Sequence, residues 1–188
     1  LYYIEEYFLD EDKKIKTFEV NQFAFENAII QYKKNQKINI NSLIKFCMIY
    51  TIKQFNKSNY YFSIGNLFEI GDFFKQDYSK AMKYYDLAGK CGNSMALVNL
   101  GNIYINIYIP PNYLKAKECY EIAARLFNDS AIFNLGFLYQ FGLGVQQNHS
   151  KALKFYEITA KTLKPIALFK VGYFYENGLG IEKNINKA

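Results

Sequence analysis

The spacing of apolar residues along this chain predicts helices. In Ala131-Ile-Phe-Asn-Leu-Gly136-Phe-Leu-Tyr139, the residues Ala131, Leu135, Leu138 and Tyr139 fall at i, i+4, i+7 and i+8, one face of an α-helix. Ala96-Leu-Val-Asn-Leu-Gly101-Asn-Ile-Tyr104 and Ala167-Leu-Phe-Lys-Val-Gly172-Tyr-Phe-Tyr175 repeat the pattern, and Tyr60-Tyr-Phe-Ser-Ile-Gly65-Asn-Leu-Phe68 is a looser copy. A second helix is predicted after each, starting at Asp77, Asn112, Asn148 and Asn184. Asp and Asn are strong N-caps, because their side-chain oxygens accept orphan N–H groups of the first turn, worth about 1 kcal/mol each. Between the paired helices lie Gly142-Leu-Gly144-Val145 and Gly178-Leu-Gly180-Ile181, suited to a helix stop and a turn with positive φ.

These pairs recur with one period. Glycines 65, 101, 136 and 172 are 36, 35 and 36 residues apart. A second motif keeps step: Lys80-Ala81, Lys115-Ala116, Lys151-Ala152 and Lys187-Ala188, with Tyr85, Tyr120 and Tyr156 four residues after the first three alanines. A period between about 20 and 50 residues is the signature of a solenoid. The mid-helix glycine costs roughly 0.5–1 kcal/mol against alanine. Its recurrence in four units predicts a close approach by a neighbouring helix that a Cβ would obstruct. One period earlier, Ala24, Asn27 and Tyr32 align with Ala131, Asn134 and Tyr139, Ile29 replaces the glycine, and Asn41 takes the capping place. The expected organisation is therefore an N-terminal helix end or extension over 1–17 and a degenerate helical repeat over 18–57. Residues 58–188 would hold three complete repeats and a truncated fourth.

The motif A-x-x-N-L-G-x-x-Y, followed by G-x-G-V, N/D-x-x-K-A and a tyrosine four residues on, resembles the Sel-1-like repeat, a relative of the tetratricopeptide repeat. The likeness is strong over 130–188, good over 60–129 and weak before 58. The second unit departs from it, since Ile107-Tyr-Ile-Pro110-Pro111 replaces the glycine turn. The resemblance implies an all-α fold, a right-handed α-α superhelix of stacked antiparallel hairpins, working as a scaffold for multiprotein complexes. A cysteine-rich branch of the family bridges successive hairpins by disulfides. The corresponding pairs here, Gly89/Ala96, Ala124/Ala131 and Ala160/Ala167, hold no cysteine, which places the chain outside that branch.

Composition narrows the function. Half of the 188 residues are hydrophobic, enough for a sizeable core, and no apolar run reaches the roughly 18–20 residues of a bilayer span. The net charge is +6, yet Arg125 is the single arginine among 23 basic residues, and the lysines are scattered. Nucleic-acid readers lean on arginine's planar fork, so a solvated basic surface is the better account. Cys47, Cys91 and Cys119 have neither zinc-site spacing nor an even count. His149, the lone histidine, is read as a surface residue beside a cap, and Cys119 as core filling. The G-x-G segments lack the GK[ST] of a phosphate loop. No catalytic, cofactor or metal site is predicted, and the chain is read as not an enzyme.

The expected function is a non-catalytic scaffold or adaptor presenting a concave groove to a peptide or protein partner, within a larger complex. The alternatives are a purely structural subunit of a large assembly and, with least support, a weak nucleic-acid binder using lysine and stacked aromatics. In the related tetratricopeptide architecture the first helix of each hairpin lines the groove. That implies Phe62/Asn66, Val98/Asn102, Phe133/Phe137 and Phe169/Tyr173 as partner-binding candidates. The acidic start of the chain lacks a signal-peptide pattern, and with no disulfide framework an intracellular setting is expected. A start at Leu1 and a motif cut at Ala188 suggest part of a longer protein.

Overall fold

The computed structural model describes residues 57–71, 75–162 and 165–188. The expected extension over 1–17 and, apart from Lys57, the degenerate repeat over 18–57 lie outside these residues. Among the described residues the chain runs through α1 (Lys57–Ile70), α2 (Tyr78–Lys90), α3 (Ser94–Asn106), α4 (Tyr113–Arg125), α5 (Asp129–Phe141), α6 (His149–Ala160) and α7 (Pro165–Asn177). A single 3-10 turn, Ile185–Lys187, comes last. Each helix packs chiefly on its neighbours in sequence, giving three hairpins, α1/α2, α3/α4 and α5/α6, with α7 opening a fourth unit. No strand occurs among the described residues. The fold is an all-α solenoid.

Local chemistry sets the helix starts. Asp77, Asn112 and Asn148 accept from the backbone N–H of Lys80, Lys115 and Lys151 at 3.0, 3.1 and 2.8 Å. Their own N–H groups donate to the carbonyls of Phe68, Tyr104 and Tyr139, which ties each second helix to the end of the first. Two further caps, Asn93 and Asn128, start the first helices α3 and α5 by accepting from Ala96 and Ala131. Asn128 also donates its amide to Ser94 Oγ at 3.1 Å, linking the starts of successive first helices. Asn128→Ala is expected to cost about 1 kcal/mol, read as a lowered midpoint in urea with unchanged slope.

The structure corrects one expectation and extends another. Asn184 has the extended backbone of its counterparts and donates its N–H to Tyr175 O at 2.9 Å, but its side chain makes no capping bond. The chain continues from it as a 3-10 turn rather than an α-helix, closed by Lys187 N–H to Asn184 O at 3.2 Å. The glycine loops, read as turns, do more than turn. Gly142 and Gly144 do take left-handed φ of 68° and 66°. A Cβ on Gly144, however, would lie 2.7 Å from Tyr113 Cβ, and one on Gly180 would overlap the backbone N of Ser150. Each loop thus seats on the start of the preceding unit's second helix, and Ser150 Oγ donates to Gly180 O across that contact at 2.5 Å. In the second unit the Ile107–Pro111 loop has no left-handed residue and leaves Ile109 in solvent. Asn112 N–H still reaches Tyr104 O at 2.8 Å, so the shorter path rejoins the register.

Candidate functional site

The recurrent glycine and the recurrent tyrosine form one device. A Cβ on Gly65, Gly101 or Gly136 would lie 2.6, 2.5 or 2.8 Å from the ring of Tyr85, Tyr120 or Tyr156. The expected close approach is therefore made by a ring from the second helix, not by a backbone. All three rings are fully buried, and Ala81, Ala116 and Ala152, one turn before them, are buried as well. Each phenol must then find an acceptor inside the protein. Tyr120 donates to Asn102 Oδ1 at 2.7 Å. Tyr85 lies against Asn66 Oδ1 at 2.6 Å and the Glu69 carboxylate. Tyr156 turns to Gln140 Oε1 at 2.8 Å. Asn99 and Asn134, from the next unit's first helix, extend these networks by donating to Asn66 and Asn102 at 3.4 Å.

The acceptor moves between units, and that movement shapes the surface. One residue after the glycine the chain reads Asn66, Asn102, Phe137 and Tyr173; four residues after it, Glu69, Ile105, Gln140 and Glu176. In the third unit Gln140 serves the tyrosine, leaving the Phe137 position free of that duty. The signal was present in the sequence as a polar residue exchanged between two places one turn apart.

A second pairing joins the Lys-Ala motif to the aromatic that ends each first-helix motif. The ammonium groups of Lys80, Lys115, Lys151 and Lys187 lie 5.0, 5.3, 4.1 and 5.6 Å from the ring centroids of Phe68, Tyr104, Tyr139 and Tyr175. These are cation–π contacts repeated once per unit. The four lysines of the Lys-Ala motif are therefore committed within the repeat.

The eight candidate residues divide by environment. Val98 is 8% exposed within the core. Asn66 and Asn102 are acceptors for buried phenols. Phe62 and Phe133 are half-buried, with ring centroids 5.9 and 5.1 Å from Tyr85 and Tyr156. The repeat's own packing thus uses Phe133. Phe137, Phe169 and Tyr173 are 38%, 69% and 41% exposed. Phe137 meets Phe141 on its own helix at 4.7 Å between centroids, and Lys170 Nζ lies 6.0 Å from the Phe141 ring. The structure brings Phe137, Phe141 and Lys170 together on neighbouring first helices, with Phe169 and Tyr173 one turn apart on α7.

Cys119 is buried in the first core cluster, and burial pushes its thiol up to about 11, far from a thiolate at neutral pH. Cys91 is exposed at the end of α2. His149 is half-buried rather than a free surface residue, edge-on to Phe174 with ring centroids 6.0 Å apart. Among the described residues no three His, Cys, Asp or Glu side chains converge to hold a metal ion. None of the described helices is long and apolar enough to cross a membrane.

A family model described as Sel1 repeat matches residues 58–93, 94–126, 129–161 and 165–188. Among solved structures, the chain is similar to a Sel1 repeat protein from Oxalobacter formigenes, with 26% identity and a TM-score of 0.67, over 84% of this chain and 64% of that one. It is also similar in fold to a protective antigen of uropathogenic Escherichia coli strains displaying an SLR fold. There the identity is 22% and the TM-score 0.64, over 69% of this chain and 28% of that one. This chain therefore spans less than two thirds of either protein. No curated protein matches it.

Proposed function

The chain belongs to the Sel1 repeat family, whose members generally serve as protein-interaction scaffolds, and from that premise we propose that it is a non-catalytic adaptor receiving a peptide or protein on the first-helix surfaces of α5 and α7. The observation that supports this is the exposure of Phe137 and Phe141 on α5, where Lys170 of α7 lies over the Phe141 ring. Large rings in a desolvated contact often dominate binding, at about 2 kcal/mol or more each. Asn66, Asn102, Phe62, Val98 and Phe133 then act on binding indirectly, by holding the helices in place. Phe137→Ala combined with Phe169→Ala is expected to abolish partner capture while leaving helix content intact, as checked by pull-down and circular dichroism. Undiminished capture of the same partners by the folded double variant would sink the proposal. Phe133 is left out of this test because its ring supports Tyr156.

One observation favours a second reading, a subunit packed permanently into a larger assembly. Exposed apolar side chains also occur away from α5 and α7, with Ile109 and Phe127 almost fully in solvent. Scattered apolar residues are ordinary, whereas contiguous patches drive association. Aggregation of the isolated chain at low concentration supports the subunit; a stable monomer supports the adaptor.

A further inference from the structure

We propose that the segment received on α5 and α7 is an acidic peptide with apolar side chains, its carboxylate held by Lys170. This rests on the adaptor reading above and adds the chemistry of the partner. In the motif A-x-x-N the second and third units place Asn99 and Asn134, whose amides extend the buried phenol networks of the units before them. The fourth unit places Lys170 there instead, and Tyr156 uses Gln140 in place of an asparagine-linked network. Lys170 is thus released from the role of its counterparts. It makes no ion pair among the described residues, and its ammonium rests over the Phe141 ring.

The charges around it leave that cation without a nearby answer. α3 carries no charged residue, and α5 carries only Asp129, in its first turn. On α6, Glu157 accepts from the Tyr175 hydroxyl at 3.1 Å. On α7 itself the carboxylate is Glu176, six residues along and off the Lys170 face. Phe169, Lys170 and Tyr173 share one face of α7, because i, i+1 and i+4 fall within about 100° of one another. From that face Lys170 reaches the Phe141 ring of α5, which packs on Phe137. The surface is therefore apolar with one half-buried cation among the rings. Water screens such a cation less than a fully solvated one, so an arriving carboxylate gains a charge-assisted hydrogen bond and an arriving lysine is repelled. The lysines of the Lys-Ala motif sit on their own aromatics and do not supply this charge.

Random short peptides displayed on phage, selected on the folded chain, give the test. Enriched sequences are expected to pair Asp or Glu with Phe, Tyr or Leu. The synthesised consensus peptide should bind Lys170→Glu at least about tenfold more weakly than the parent, and Lys170→Asn by a smaller factor. A peptide with lysine for its acidic residue should reverse the preference and favour Lys170→Glu. Circular dichroism checks that both variants fold, and asparagine is the residue that sister units already hold at this place. Peptides that depend on Phe137 and Phe169 but bind Lys170→Glu as tightly as the parent overturn the acidic preference and leave the adaptor reading standing. Failure to enrich any peptide sensitive to Phe137→Ala and Phe169→Ala overturns both.

Discussion

Gly136→Leu is expected to destabilise the fold by about 3 kcal/mol or more, the upper end of the cost of overpacking a core. In a chain of this size that lowers the melting temperature by roughly 6–12 °C. The reason is geometric. Even the first side-chain carbon would lie 2.8 Å from the Tyr156 ring and 3.2 Å from Phe155 Cβ, and a leucine adds three more carbons. Tyr156 cannot swing away cheaply, since its ring is fully buried, edge-on to Phe174, and its hydroxyl is bonded to Gln140. A double-mutant cycle separates this clash from a general intolerance of leucine. Tyr156→Ala alone should cost about 3–5 kcal/mol as a large-to-small change. Combined with Gly136→Leu it should cost at least about 1 kcal/mol less than the sum, because the leucine then enters the space left by the ring. Strict additivity, or a Gly136→Leu melt that overlays the parent, would show that glycine and tyrosine are not partners.

Alkaline pH is expected to unfold the chain steeply just above pH 10, with the fully buried Tyr85, Tyr120 and Tyr156 as a principal cause. Burial raises the phenol pKa of Tyr85, Tyr120 and Tyr156 above the ordinary value near 10, and for Tyr85 the Glu69 carboxylate adds to the shift. A raised folded pKa means that the native state keeps these protons while the unfolded chain releases them. Their contribution is therefore fully present below pH 10 and is lost as pH climbs from 10 toward the folded values. Each tyrosine removes about 1.4 kcal/mol per pH unit in that window, so three together remove about 4 kcal/mol per unit. The lysines titrate in the same range, and Tyr120→Phe isolates the phenol. At neutral pH that variant should lose about 1–2 kcal/mol, because Asn102 loses its hydroxyl donor. Above pH 10 its stability should fall about 1.4 kcal/mol per unit less steeply than that of the parent, measured by urea melts across the range. Equal slopes would mean that Tyr120 ionises in the folded state.

Local signals along the chain set the helices, their order and their period. The capping residues Asp77, Asn112 and Asn148 bond to backbone three residues ahead, and Gly142 and Gly144 set their own φ, so these signals need no distant partner. Apolar spacing likewise marks one face of each helix. The caps Asn93 and Asn128 carry the same local signal, an asparagine three residues before the motif alanine, although the glycine and Lys-Ala motifs are the more conspicuous markers.

What each face meets depends on contacts between helices that no local signal encodes. Glycine and tyrosine appear in sequence as two motifs in step; that the ring of one helix lies on the missing Cβ of the other depends on how the hairpin closes. The same holds for each Lys-Ala lysine over its aromatic. The candidate site shows the limit most clearly. Phe133 looks free in the sequence, yet its ring lies against Tyr156 of its own hairpin. Asn102 and Phe137 share a place, and one is bound to a buried phenol while the other is exposed, because Gln140 has taken over as acceptor. Spacing assigns a residue to a face. Whether that face is free is decided by which ring, hydroxyl or neighbouring unit has already filled it.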